Sequence, residues 1–182
     1  MKSGTDHEQA RERKNILRIF HNKMPSSDAH PVDTYTFSFV VHNSQVIQDL
    51  HTCLTQRKSG VNILLEYDEH RYHGWHVAFD FLYEYPTYIE GLSITGFSLN
   101  RTMAQNVIAS CMKRMTNLRW LSLPNTKLTP GGVRVIMSAL SACPLLTTID
   151  LSNNLELTDK VPEIIKLKEQ YDVLVDEEVE LD

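Results

Sequence analysis

The hexapeptide Leu118-Arg-Trp-Leu-Ser-Leu123 is repeated in altered form along the chain. It returns 28 residues later as Leu146-Thr-Thr-Ile-Asp-Leu151, and a related form lies 29 residues earlier as Ile89-Glu-Gly-Leu-Ser-Ile94. Each copy has apolar residues at its first, fourth and sixth positions and is followed by a polar turn. A period of this length indicates stacked units, each too small to bury its own apolar side.

Each unit is predicted to contain one strand and one helix. In the unit that begins at Leu118, Leu121 and Leu123 alternate with outward positions, which is typical of a strand with one buried face. Thr129 and Pro130 then predict a helix N-cap and first helical residue. The apolar stripe expected on this helix has helical spacing and consists of Val133, Ile136, Met137 and Leu140.

The flanking units follow the same scheme. A helix is expected to begin at Asn100 or Thr102, with Gln105 completing a capping box, and another to begin at Thr158-Asp159. The expected stripe of the first helix contains Met103, Val107, Ile108, Cys111, Met112 and Met115. That of the second contains Val161, Ile164, Ile165 and Leu167.

The first half of the chain is less regular. Weaker strand patterns occur at 35–40 and 61–66, and a last short strand is expected near Val173 to Val175. The segment 75–85 fits both a strand of period two and a helix, and the repeat frame favours the helix. Residues 6–23 are predicted to form a basic amphipathic helix that caps the open end of the core.

The two strongest copies, Leu118 to Gly132 and Leu146 to Asp159, resemble the leucine-rich repeat family in its ribonuclease-inhibitor-like subtype. The position that the family usually fills with Asn or Cys holds Thr126 and Asn154 here, but Phe97 in the earlier copy. The resemblance implies an α/β solenoid with parallel strands on a concave face, helices on the convex face and an N-terminal helical cap. The expected organisation is a cap and linker at 1–31, irregular repeats at 32–88, regular repeats at 89–172, and a final strand with an acidic tail at 173–182.

Composition limits the classes of partner. The chain has 182 residues, a net charge of −5 and 42% hydrophobic residues, with no run approaching the ~20 apolar residues that span a bilayer. An acidic chain is a poor nucleic-acid binder, because affinity for phosphates comes from basic groups. We therefore expect a monomer that neither inserts into membranes nor binds nucleic acid. Cys53, Cys111 and Cys143 stand in apolar surroundings and predict core thiols in a reducing, cytoplasmic compartment.

The acidic end of the chain adds a second possibility for location. Residues 169–182 carry seven acidic groups and no basic ones. A Glu-rich block of this kind resembles the C-terminal translocation signals of bacterial effectors. The alternative to a resident cytoplasmic protein is therefore one that a bacterium secretes into a host cell, although acidic tails are usually only solvated termini.

Sequence motifs for catalysis are missing, so we expect no catalytic residues, no cofactor and no bound metal. The chain contains no nucleophile elbow, phosphate-binding loop or zinc-protease motif. His70, His73 and His76 lie beside two acidic residues in the segment 68–76, and imidazole is a common zinc ligand. Their spacing matches no zinc pattern, and a solvated loop is the expected interpretation. The alternative function is a hydrolase or metal-dependent enzyme that uses this segment.

The outward strand positions are the predicted binding site for a partner protein, because family members commonly bind ligands on the concave face. The predicted contact residues are Glu66, Ser93, Thr95, Trp120, Ser122, Pro124, Thr148, Asp150 and Ser152. Trp120 is either an exposed anchor, as tryptophan often is at interfaces, or a ring that lies flat on Gly91.

The size of this face limits what it does alone. The outward positions of five or six strands, which lie about 4.8 Å apart, cover roughly 360 Å². A standard interface covers about 800 Å² per partner. Loops such as 68–74 and 124–130 are expected to contribute. The sequence thus predicts a non-catalytic protein-interaction module, with a structural fragment of a larger repeat protein as a further alternative.

Overall fold

In the part of the chain that the structure describes, seven strands form one sheet in which their order matches their order in the sequence. The structure is a computed structural model and describes residues 18–20, 35–41, 52, 60–67, 79 and 82–176. The strands are β1 (Arg18–Phe20), β2 (Tyr35–Val41), β3 (Val61–Tyr67), β4 (Ile89–Thr95), β5 (Trp120–Ser122), β6 (Thr148–Asp150) and β7 (Asp172–Leu174).

All neighbouring strands from β2 to β7 pair in parallel, whereas β1 pairs antiparallel with β2. Parallel neighbours need a crossover connection, and helices supply it in the C-terminal half. These are α1 (Thr102–Met112), α2 (Pro130–Leu140) and α3 (Pro162–Lys168), and a 3₁₀ helix (Pro86–Tyr88) precedes β4. The α/β class predicted from the sequence is confirmed.

The hydrophobic core lies between one face of the sheet and the helices. Alternate residues of each strand enter it, as the two-residue period of a strand requires. Those of β4, β5, β6 and the residues just after them are Leu92, Ile94, Leu121, Leu123, Ile149 and Leu151, each at most 2% exposed. The strand predictions for the three strong copies are confirmed.

The segment 75–85 is helical at the positions that the structure describes. Phe79 and residues 82–84 have helical backbone, and Phe79 and Leu82 are fully buried. Three residues apart, they share one face of a helix. The prediction of a helix is therefore confirmed at these positions, and the rest of the segment lies outside the described residues.

The start of α2 was predicted correctly. Thr129 is the N-cap, and its Oγ1 accepts a hydrogen bond of 3.2 Å from the backbone N–H of Gly132. Pro130 is the first helical residue, where its missing N–H costs nothing. Val133, Ile136 and Leu140 are buried as expected, and Met137 is partly buried against the core.

The predicted face of α1 was wrong at its first turn. The helix begins at Thr102, but its N-cap Arg101 makes no side-chain cap bond. Gln105 is instead buried, and its Nε2 donates to the Leu99 carbonyl at 2.7 Å. With Ala104 and Gln105 facing inward, Met103 points away from the core and is 63% exposed. The later stripe residues Ile108, Cys111, Met112 and Met115 are buried as predicted.

The start of α3 and the extent of the N-terminal helix also need correction. The third helix begins at Pro162 with Val161 as N-cap, and Thr158 instead forms an isolated parallel bridge with Asp176. Ile165, predicted to be inward, is 51% exposed. Arg18–Phe20 is a strand on the free edge of β2, so the helix predicted at 6–23 is wrong at these residues.

The thiols of Cys111 and Cys143 are buried, as predicted, and Cys53 lies outside the described residues. The Cys143 Sγ donates to the Met112 carbonyl at 3.3 Å. Burial raises the pKa of the Cys143 thiol from 9.0 to about 11. The thiol is therefore protonated, and unreactive, at neutral pH.

None of the helices among the described residues has both the length and the apolar character needed to cross a bilayer.

Candidate functional site

The face of the sheet opposite the core, called here the outward face, consists of three rows of side chains. The strand register aligns each row across neighbouring strands. The first row is Asn62, Gly91, Trp120, Thr148 and Asp172, and the second is Leu64, Ser93, Ser122, Asp150 and Leu174. The third row begins with Glu66 and Thr95, and Pro124 and Ser152 continue it two residues beyond Ser122 and Asp150.

The ladder of backbone hydrogen bonds extends past the ends of β5 and β6. The amide of Leu123 donates to the Asp150 carbonyl at 2.8 Å, and that of Asn125 donates to the Ser152 carbonyl at 3.1 Å. All nine predicted contact residues therefore lie on one face, and the structure brings them together over four adjacent strands.

A chain of side-chain hydrogen bonds runs across the second row. The Ser93 hydroxyl donates to the Ser122 oxygen at 3.4 Å, and the Ser122 hydroxyl donates to Asp150 Oδ2 at 2.9 Å. These residues are 29 and 28 positions apart in the sequence. The repeat period itself therefore creates the contact, since it places equivalent residues side by side.

The carboxylate of Asp150 is held at the end of this chain. Its Oδ1 accepts hydrogen bonds from the backbone N–H of Ser152 at 3.0 Å and from the Ser152 hydroxyl at 2.7 Å. A carboxylate offers about four acceptor positions, and the described residues use three of them. The open position is on Oδ2, the oxygen that faces Ser122. The spacing of Asp150 and Ser152 is that of an Asx turn, a signal that is present in the sequence but did not enter the prediction.

Trp120 lies over Gly91 of the adjacent strand. A Cβ built on Gly91 would collide with the Cε2, Cζ2 and Nε1 atoms of the indole. Gly91 is therefore buried beneath the ring, whereas Trp120 itself is only half-buried. The two predicted roles of Trp120 are compatible: one side of the ring packs on the sheet, and part of its surface stays accessible.

The charges at the outward strand positions of β3 to β7 have one sign. Glu66, Asp150 and Asp172 are acidic, and no lysine or arginine occupies an outward position of the described parts of β3 to β7. Two ion pairs between described residues lie at other positions: Arg119 with Glu90 at 3.8 Å, and Arg134 with Glu163 at 3.0 Å. The part of the face formed by β3 to β7 is therefore acidic, and Arg18 of β1, in register with Ser38, is a basic residue of the second row at the opposite edge of the sheet from β7.

The turn after β6 supports the outward face from one end. Asn154 is 1% exposed, and its Oδ1 accepts the backbone N–H groups of Thr126 and Leu128 at 3.0 and 2.9 Å. Its Nδ2 donates to the carbonyls of Leu123 and Leu151, both at 2.9 Å. This one side chain connects the turns of two adjacent units and fixes the position of one turn relative to the other.

A fully exposed leucine in this turn was not predicted from the sequence. Leu155 follows Asn154 and is 99% exposed, and Leu174 on the last strand is 54% exposed. Periodicity assigns no role to an apolar residue in a turn, so only the folded structure reveals it. Leu174, in register with Asp150, adds apolar surface at the β7 edge of the outward face.

The other candidate sites have less support. His70, His73 and His76 lie outside the described residues, and within the described ones no group of three His, Cys, Asp or Glu could hold a metal. Two grooves lie on the helical side of the sheet. One, of about 620 Å³, is lined mainly by Phe79, Tyr83, Met103, Val107 and Cys111, and the other, of about 420 Å³, lies between α2 and α3.

Comparison of the chain with protein-family models, with curated proteins and with solved structures found no match.

Proposed function

We propose that this chain is a leucine-rich-repeat solenoid and that its outward face is a concave surface that binds a partner protein without catalysis. Three features support the solenoid. The strands follow one another in sequence order, equivalent residues align at the repeat period, and Asn154 bonds to the backbone of the preceding turn as a repeat asparagine should.

The observation that carries the binding proposal is the half-buried Trp120 beside an ordered polar row. A tryptophan already packed on Gly91 loses little side-chain freedom when a partner contacts it, so less entropy opposes binding. The row of Ser93, Ser122 and Asp150 is similarly held by its own hydrogen bonds. Binding sites that are ordered in advance generally give higher affinity for the same area.

The rim of the face supplies the further area that a stable interface requires. The strand positions alone offer roughly 360 Å², and a standard interface covers about 800 Å² per partner. Leu155 is exposed in the turn after β6, which Asn154 connects to the turn that contains Asn125 and Lys127. A partner that contacts both the strands and these turns covers more area than the strand positions alone provide.

A variant pair tests this proposal directly. Thr148→Arg places a long cation beside Trp120 on the outward face, and Ser138→Arg places the same side chain on the exposed side of α2. Each tagged protein is incubated with lysate from a host cell and from the source cells, after thermal melting has shown that the variant folds. We expect one or more proteins to bind the wild type and Ser138→Arg but not Thr148→Arg. Identical capture by all three, or loss with Ser138→Arg alone, would overturn the proposal.

The further suggestion that the partner is a host protein rests on the composition of the acidic tail at 173–182. Of this segment, residues 177–182 lie outside the described residues. Capture from either lysate supports the binding proposal, whereas capture from the host-cell lysate alone supports a host partner. The comparison of host and source lysates therefore tests the two statements separately.

A further inference from the structure

We infer that the outward face recognises a partner segment by a single lysine side chain, whose ammonium binds Asp150 and whose aliphatic part lies across Ser122 towards Trp120. This inference rests on the proposed binding function and specifies its partner. It is drawn from the charge of the face, the acceptor geometry of Asp150 and the position of the indole.

Charge complementarity selects a basic partner. Three acidic side chains and no basic ones occupy the outward positions of the described parts of β3 to β7. Arg18, in register with Ser38, lies on β1 at the opposite edge of the sheet, five strands from Asp150. Such a face attracts cations and repels acidic segments, which gives specificity as well as faster association. Asp150 is the central acid, since Ser93 and Ser122 connect it to the rest of its row.

The acceptor positions of Asp150 favour a group that donates one hydrogen bond over a group that donates to both carboxylate oxygens. Ser152 occupies Asp150 Oδ1 with both its amide and its hydroxyl, at 3.0 and 2.7 Å. Ser122 uses one position of Oδ2 and leaves one open. An arginine fork normally donates to both oxygens of a carboxylate at once, and that arrangement is blocked here. A lysine ammonium acts as a point charge with independent donors, so it fits the single open position.

The indole provides a surface for the lysine stem. Trp120 and Ser122 are two residues apart on one strand, about 6.6 Å at the usual rise, and Asp150 lies on the next strand in register with Ser122. Because the ring leans over Gly91, Ser122 lies between the aromatic ring and the carboxylate. A lysine stem is long enough to lie over Ser122, and its methylene groups pack well on apolar surface while the charged end stays polar.

The test uses a short capped peptide of alternating glycine and lysine as the probe, with the same peptide carrying Nε-acetyl-lysine as its control. Acetylation keeps the stem and removes the charge. In a titration followed by ¹⁵N NMR, we expect shifts of the Ser122, Asp150 and Ser152 amides and of the Trp120 indole N–H. The acetylated peptide is expected to bind at least about tenfold more weakly, as the loss of a charge-assisted hydrogen bond implies.

The variant Asp150→Asn is expected to weaken binding of the lysine peptide by the same factor of about ten. Glu169→Gln, on an exposed residue after α3, is the matched control and is expected to leave the affinity unchanged. Equal binding of the two peptides by the wild type would overturn the inference without recourse to any variant. Shifts confined to the acidic residues after Asp176, or an unchanged affinity of a folded Asp150→Asn, would also overturn it.

The proposed function fails separately. If captured proteins depend on Thr148 but bind Asp150→Asn as tightly as the wild type, the face binds a partner and the lysine contact is wrong. If nothing depends on Thr148, the proposed function itself is wrong.

Discussion

The indole ring of Trp120 occupies the space over Gly91 that any other side chain at that position would fill. The two residues are neighbours in the register of β4 and β5, 29 positions apart in the sequence. A large aromatic residue thus lies on the outward face and packs against the sheet. The glycine is what allows the ring to be both ordered and accessible, and the binding proposal depends on this pair.

The Trp120–Gly91 pair predicts the effect of Gly91→Ala. The added methyl group displaces the indole, which costs about 1–3 kcal/mol of stability, as overpacking does. We expect a lower urea midpoint and a shifted indole N–H resonance of Trp120, assigned with Trp120→Phe. Gly131→Ala is the control, because a Cβ there meets only Thr129 Oγ1 at 3.7 Å. Its stability should be unchanged or higher, since alanine favours helix. An unmoved indole resonance in Gly91→Ala contradicts the proposed packing.

Asn154→Ala should destabilise the chain strongly. The substitution leaves the buried amides of Thr126 and Leu128 without their acceptor, and each unsatisfied group costs about 1–3 kcal/mol. Chemical denaturation should therefore show a loss of about 3 kcal/mol or more. Asn125→Gly is the matched control, because Asn125 is exposed with a positive φ of 52° that glycine adopts readily. A loss in Asn154→Ala no larger than in the control would show that the turns are not connected through this side chain.

The orientation of α1 is tested by two methionines. Met112 is fully buried, and Met112→Ala should cost about 2–5 kcal/mol, as core truncations do. Met103 is 63% exposed, and Met103→Ala should change stability by less than about 0.5 kcal/mol. Thermal or urea unfolding of the pair provides the measurement. Comparable losses of stability at both positions would mean that Met103 faces the core, as expected from the sequence, and would contradict the orientation of α1 in the structure.

The Cys143 thiol predicts a loss of stability at alkaline pH. Its pKa is raised from 9.0 to about 11 by burial, so the folded state holds the proton more tightly than the unfolded state. The resulting stabilisation is complete below pH 9 and is lost as the pH rises from 9 to 11. Urea midpoints of the wild type should fall over this interval, and those of Cys143→Ala should fall less. Some decline should remain in the variant, because burial also raises the pKa of Tyr171 above 10.0. Parallel profiles for both proteins would rule out the thiol as the cause.

Local patterns predicted the elements that depend on local chemistry. The alternation around Leu121 and Leu123 is visible in any window of six residues, and the Thr129-Pro130 pair is a helix start by itself. Both are confirmed. The two alternatives for Trp120 were also available, since the repeat aligns it with Gly91.

What could not be predicted depends on contacts between units. The apolar stripe of α1 is broad enough to fit more than one rotation of the helix about its axis. In the rotation that the structure shows, Gln105 donates a hydrogen bond to the Leu99 carbonyl. The strand Arg18–Phe20 exists through pairing with β2, which no local signal encodes. One of the three bonds of Asp150 similarly requires Ser122 from the preceding unit.

Site-specific photocrosslinking is the most direct test of the claim that the outward face binds a partner. A benzophenone amino acid is placed at Thr95 on the outward face, and in a separate variant at Ser110 on the exposed side of α1. After irradiation in lysate, we expect a discrete crosslinked protein from position 95 and none from position 110. Crosslinks from position 110 alone, equal crosslinks from both, or none from position 95 would contradict the claim.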